Sequence, residues 1–195
     1  IIILLSNLSL INIRFIMINH PDLTKKQLNN QLKKLFLNDK ILNQDSERVV
    51  SNIDFKPLSN ATIFITGATG LIGTQLISSL SYLHKLGIKF TVYFQHYSKL
   101  SDQIEKLTDN FNPIKTDLSD FNYYGQLPKA DFIIHAAGYA QPSMFMAEPE
   151  KTLSINSTLT CALLKKLNSG GKFLFISSIE LYNGLNKSLL KETDI

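Results

Sequence analysis

Cysteine is nearly missing from this chain of 195 residues, with Cys161 the only one. A lone thiol excludes an intrachain disulfide and a cysteine-rich zinc site, so no metal site is expected, and a reducing cytoplasm fits. Cys161 lies in the apolar run from Leu159 to Leu164, which predicts a buried structural thiol rather than a nucleophile. Long unbroken apolar runs are lacking too. Residues 1–18 are rich in Ile and Leu, but Ser6, Asn7, Ser9, Asn12 and Arg14 interrupt them, whereas a transmembrane helix needs about 20 residues with few such breaks. They lack the charged start and small-residue end of a signal peptide. The chain opens without methionine, and Met17 reads as a natural start behind an upstream extension. Strong charge is also lacking. The net charge is +4, and the lysines are scattered or paired, as Lys25 with Lys26, Lys33 with Lys34 and Lys165 with Lys166. Such pairs read as solvated helix faces, so neither nucleic acid nor membrane is an expected partner. With 44% hydrophobic and 18% charged residues, the chain is an ordinary globular one, long enough for one domain with a core.

The most informative stretch is 61–76, ATIFITGATGLIGTQL. Residues 62–65 are β-branched and aromatic, the signature of a strand buried on both faces. Gly67, Gly70 and Gly73 follow at a spacing of three, and a helix starts at Leu71, with Leu71, Ile72, Leu76, Ile77 and Leu80 on one side. Glycines between strand and helix permit a tight turn and let backbone amides approach a pyrophosphate, with the positive end of the helix dipole behind them. Upstream, 22–38 and 41–58 read as helical pieces without a chemical motif, so 1–58 is expected to be a partly helical extension and 59–195 the nucleotide-binding domain.

Downstream, strands are expected at 88–94, 111–115, 130–135 and 172–176, with helices at about 71–86, 101–108 and from Pro149 onward, the last stopped by Gly170 and Gly171. The repetition predicts an α/β fold, a Rossmann-type doubly wound parallel sheet of about five strands with its ligand at the carboxyl ends. The second strand runs into Gln95, His96, Tyr97, Ser98 and Lys99 without the carboxylate that usually holds the ribose hydroxyls. Lys99 or His96 could pair with a 2′-phosphate, or these residues simply end a strand, which leaves NAD and NADP both open.

Four segments together resemble the extended branch of the short-chain dehydrogenase/reductase superfamily, the NAD-dependent epimerase/dehydratase family. They are Thr66-Gly67-Ala68-Thr69-Gly70-Leu71-Ile72-Gly73, the Asp117-Leu118 pair after the third strand, the segment HAAGYAQP from His135, and Ser177-Ser178-Ile179-Glu180-Leu181-Tyr182 after the fifth. The resemblance implies that the glycine segment and Ser177 bind the dinucleotide and that Asp117 and Leu118 sit at the adenine. It implies that Ala136, Ala137 and Gly138 let the cofactor lie against the strand ends, and that Asn156 helps position the active site. His135 reads as structural. Ser178 matches the family's catalytic Ser/Thr, which hydrogen-bonds the sugar hydroxyl being oxidised. Glu180 matches a glutamate of nucleotide-sugar dehydratases and UDP-glucuronate decarboxylases. It either acts in a second proton transfer or caps the following turn. The implied reaction passes through a 4-keto nucleotide sugar with NAD as cofactor, and a homodimer is the implied assembly of the longer form.

One family element is lacking. No tyrosine here has lysine four places on, and the chain stops at Ile195. The family's Tyr-x-x-x-Lys pair would lie beyond Tyr182, so this is expected to be a fragment or truncated product that keeps dinucleotide binding without completing catalysis. A binding module or remnant without an enzyme's role is the alternative.

Overall fold

A computed structural model describes residues 39–139, 141–185, 190, 191 and 193. The helix expected at 22–38 lies outside them. The chain divides into two compact units, Ile1–Ile53 and Asp54–Ile195. In the first, helix α1 (Asp39–Val50) ends near a basic residue, Arg48, which suits the negative end of its dipole.

The second unit is a five-stranded sheet, wholly parallel, in the order β3-β2-β1-β4-β5. Its strands are β1 (Thr62–Thr66), β2 (Thr91–His96), β3 (Asn112–Lys115), β4 (Ala130–His135) and β5 (Leu167–Phe175). Helix α2 (Leu71–Lys85) joins β1 to β2, and α3 (Asp102–Leu107), capped by the Ser101 hydroxyl, joins β2 to β3. Between β4 and β5 lie α4 (Pro142–Ala147), α5 (Pro149–Leu153), a π-helical turn (Ser154–Thr158) and α6 (Leu159–Leu164). β2 lies on one side of β1, and β5 on the far side of β4. With right-handed crossovers, the two connections must therefore cover opposite faces of the sheet.

The packing agrees. Phe64 and Ile133 share a cluster with Ile155, Leu159 and Leu163, so one face meets the π turn and α6. Ile63 and Ile65 alternate with Phe64 onto the other face and are as deeply buried. A strand buried on both faces carries no polar alternation, which is why β1 reads as a continuous apolar run. On α2 the buried positions are Gly73, Thr74, Ile77, Ser78, Leu80, Ser81 and Leu83, while the expected core residues Leu71 and Ile72 are exposed. Small residues on the inner face bring this helix close to its surroundings.

Three local readings are corrected. Cys161 is exposed, not buried. Leu159 and Leu163 are four apart and face inward, and Cys161 falls about half a turn from both. Leu153 and Leu164, expected on the inner face of the helix, are exposed as well. The last helix ends at Leu164 rather than at Gly170, and β5 starts five residues earlier than its apolar core suggests. Ala130 pairs with Leu167 and Phe132 with Lys172, so β5 carries extra residues against β4. Gly170 takes φ +77° within that irregularity, and a Cβ on Gly171 would stand 2.8 Å from the Asp131 carbonyl oxygen. The two glycines thus shape a bulge instead of stopping a helix.

Candidate functional site

All the singled-out segments converge on the carboxyl ends of β1, β2, β3, β4 and β5. The glycine loop between β1 and α2 is built on itself. A Cβ on Gly67, whose φ is +70°, would strike Ala136 and Ala137 backbone atoms at 2.6 Å. One on Gly73 would collide with the Gly67 carbonyl oxygen and stand 2.6 Å from Ala68 Cα. These two glycines are therefore required by the fold. Gly70 is different. It is the N-cap of α2 with extended backbone, it is exposed, and a Cβ there would meet only the Gly67 carbonyl oxygen, at 3.3 Å. No side chain caps α2 and no acidic residue stands in its first turn. Unpaired backbone N–H groups at the start of a helix can hold an anion, and Thr69, Gly70, Leu71 and Ile72 are exposed around this one.

Beneath the loop, Thr66 and His135 are register partners on β1 and β4, and both are buried. His135 Nε2 lies 3.0 Å from the Ile155 carbonyl oxygen, which can only accept, so Nε2 carries the proton. Nδ1 then accepts from the Thr66 hydroxyl at 2.7 Å, and the Thr66 oxygen accepts from the Ala137 N–H at 3.4 Å. Burial holds the His135 pKa below the usual histidine range, against the opposing pull of the Ile155 carbonyl. A neutral imidazole thus ties β1, β4 and the π turn together, and Phe175 of β5 packs edge-on against it at 5.2 Å. The helix yields to this arrangement: Leu159 N–H reaches back five residues to the Ser154 carbonyl. Thr66 spends its hydroxyl inside the protein and supports the loop from below.

Gln95, at the end of β2, is a staple that its residue type alone does not reveal. It is 3% exposed. Its Nε2 donates to the Thr116 carbonyl at 2.7 Å, and its Oε1 accepts from the Gly67 N–H at 3.4 Å. One side chain therefore joins the ends of β1, β2 and β3. The sequence signal was a lone amide at a strand end otherwise apolar.

After β3, Asp117 is exposed and accepts from the Ser119 N–H at 2.8 Å and the Ser119 hydroxyl at 2.7 Å. These bonds, the backbone one first, hold its pKa below the usual carboxylate range. Leu118 is buried in the core cluster. Past β4, Ala136 and Ala137 are half-buried and Gly138 is exposed, with only Asn156 Oδ1 within reach of a Cβ there, at 3.9 Å. Asn156 is exposed on the π turn and donates to the Thr152 carbonyl at 3.0 Å. Ser177 and Ser178 are exposed just past β5. The chain then leaves the extended path, and Ile179–Tyr182 form a 3-10 turn closed by the Leu181 N–H on the Ser178 carbonyl at 3.2 Å. The extended backbone therefore does not continue past Ser178.

The residues present fit a dinucleotide. The helix start offers uncapped amides, Gly138 leaves room for a ligand, and the Asp117 carboxylate stands as an acceptor past the end of β3. Among the described residues no helix is long and apolar enough to cross a membrane.

Comparisons with known proteins agree with this architecture. A UDP-N-acetylglucosamine 4-epimerase from Methanobrevibacter ruminantium, solved with UDP-N-acetylmuramic acid, matches with TM-score 0.53 at 22% identity, over 69% of this chain and 43% of that one. A UDP-glucose-4-epimerase from Stenotrophomonas maltophila, with bound NAD and formylated UDP-arabinopyranose, matches with TM-score 0.52 at 21% identity, over 68% and 41%. An epimerase from Methanothermobacter thermautotrophicus matches with TM-score 0.56 at 19% identity, over 79% and 44%. The chain thus spans less than half the length of these structures. No curated protein matches it. The family model described as NAD dependent epimerase/dehydratase family matches residues 63–194, from the glycine-loop strand through the serines past β5. The chain belongs to the NAD-dependent epimerase/dehydratase family.

Proposed function

We propose that this chain is the NAD-binding part of a nucleotide-sugar epimerase, dehydratase or decarboxylase that works through a 4-keto sugar. The observation that carries the reading is Gly70: a Cβ there would meet the Gly67 carbonyl oxygen at 3.3 Å, a much milder contact than at Gly67 or Gly73, and it sits exposed at the uncapped start of α2. Gly67 and Gly73 shape the loop, the Gly70 N–H closes it on the Gly67 carbonyl at 3.1 Å, and the amides of Leu71 and Ile72 hold the pyrophosphate. Asp117, already ordered by Ser119, accepts from the adenine amino group. Leu118 is spent in the core, so it floors that subsite instead of lining it broadly. Gly138 and Asn156 border the nicotinamide end. Bound NAD supplies a hydride acceptor for the sugar carbon. Ser178 hydrogen-bonds the hydroxyl at that carbon, and Glu180 serves a later proton transfer. The nucleotide sugars present in two of the similar structures support this substrate class, and a cytoplasmic, homodimeric longer form goes with it.

Titration calorimetry with NAD tests the reading. Gly70→Val should abolish binding while leaving the circular dichroism spectrum unchanged, because the added side chain fills the anion approach. Native affinity in the folded variant would overturn it.

A further inference from the structure

The end of β2 is where a dinucleotide fold reads the adenosine ribose. An acidic residue about 20 positions past the glycine loop binds the ribose hydroxyls and repels a 2′-phosphate. In this chain the residue that reaches the loop from that strand end is Gln95, 22 positions past Gly73 (95 − 73). Its carboxamide is fixed from both sides, to the Gly67 N–H and to the Thr116 carbonyl. The second bond requires a donor. A carboxylate could keep the first bond, but would set its charge against the Thr116 carbonyl oxygen, so the staple itself selects the neutral amide.

The charges around the staple point the same way. Residues 95–101 contain no Asp or Glu, and the first acidic residue after β2 is Asp102, at the start of α3. His96 turns back onto its own loop, donating from Nδ1 to the Ser98 carbonyl at 2.8 Å. Lys99 is exposed in that loop. The ribose end therefore presents a neutral buried amide and an exposed cation.

We propose that Gln95 makes this chain tolerant of a 2′-phosphate, so that it binds NADP as well as NAD. The inference rests on the dinucleotide-binding reading above. Lys99 supplies a screened surface attraction for the phosphate, and Gln95 supplies the missing repulsion.

Calorimetric titration of the chain with NAD and with NADP tests it, with adenosine 5′-monophosphate and adenosine 2′,5′-bisphosphate as fragments that isolate the adenosine end. The two dissociation constants should agree within about tenfold, and the fragments should follow the same order. Gln95→Glu, of equal length, should weaken NADP by about tenfold or more relative to NAD, a change of one unit charge beside the phosphate. Lys99→Ala should weaken NADP a few fold, lower the salt dependence of its binding and leave NAD unchanged. NADP binding more than about tenfold weaker than NAD in the unsubstituted chain would overturn the proposal, as would an unchanged ratio in folded Gln95→Glu. That first comparison needs no variant. Failure of both dinucleotides to bind would instead remove the dinucleotide-binding reading beneath it.

Discussion

Burial decides the charge of His135, and the charge decides how the unit answers to acid. In the folded chain the imidazole is neutral, with both nitrogens committed, and desolvation keeps its pKa down. In the unfolded chain it titrates near the ordinary value, about 6.5. Above that pH both states are neutral and the group contributes no slope. Below it the unfolded chain takes up a proton that the folded chain refuses, so stability falls with pH from about 6.5 downward. Thermal unfolding of the native chain should therefore show a midpoint that declines from pH 7 to pH 5. His135→Gln should start lower, because the Thr66 hydroxyl or the Ile155 carbonyl loses its partner, at a cost of about 1–3 kcal/mol. Its midpoint should decline less over the same interval. An equal decline in both proteins would assign the slope to other groups. The sequence showed His135 as a strand residue with a structural role, and its register pairing with Thr66 supplied the rest. What the sequence could not show was Ile155, because the contact exists only once the helix has widened into a π turn.

At the scale of elements, β5 shows what periodicity misses. Residues 130–135 announced β4 to the residue, since an apolar run between a proline-bearing loop and a small-residue segment has one reading. Asn168, Ser169, Gly170 and Gly171 look like a helix stop and a loop, yet they belong to a nine-residue strand. The bulge is held from the neighbouring strand: Asp131 accepts from the Thr62 N–H and from Asn168 Nδ2, both at 2.8 Å, and these bonds keep its carboxylate charged. Such a long-range contact leaves no local pattern. Gly170 adopts φ +77° with open space around it, so a side chain there costs only backbone strain. Gly170→Ala should destabilise the unit by about 1 kcal/mol, and Gly170→Asn by less, since asparagine tolerates this conformation better. Gly171→Ala should cost more than either, because its Cβ meets the Asp131 carbonyl oxygen at 2.8 Å. Urea unfolding ranks the three, and a Gly171→Ala variant as stable as Gly170→Ala would show that the bulge relaxes freely.

At the scale of the whole molecule, the sheet brings the proposed binding residues together. The carboxyl ends of all five strands meet in one place, and the order of motifs along the chain was sufficient to predict that convergence. The glycine loop is legible because its three glycines at a spacing of three stand between a strand and a helix in the sequence itself. The Gln95 staple is not, because its partners Gly67 and Thr116 are 28 and 21 residues away. The residues proposed to hold a dinucleotide lie within 66–177, on a sheet whose core is closed by α6 on one face. A base for the sugar hydroxyl is a different requirement. A tyrosine phenol has a pKa near 10 and needs a neighbouring cation to ionise near neutrality. None of the seven tyrosines has a lysine four places on, and Tyr124, held by the Leu118 carbonyl at 2.7 Å, has its pKa raised, first by burial. Such a phenol stays protonated and is a poor base. The chain of 195 residues should therefore bind NAD and yet give no rise in NADH absorbance when UDP-glucose or UDP-glucuronate is added in a single-turnover mixture. Joining it to a segment that supplies a Tyr-x-x-x-Lys pair should bring the absorbance back without tightening NAD binding much. Hydride transfer by the 195-residue chain alone would mean that another group serves as base.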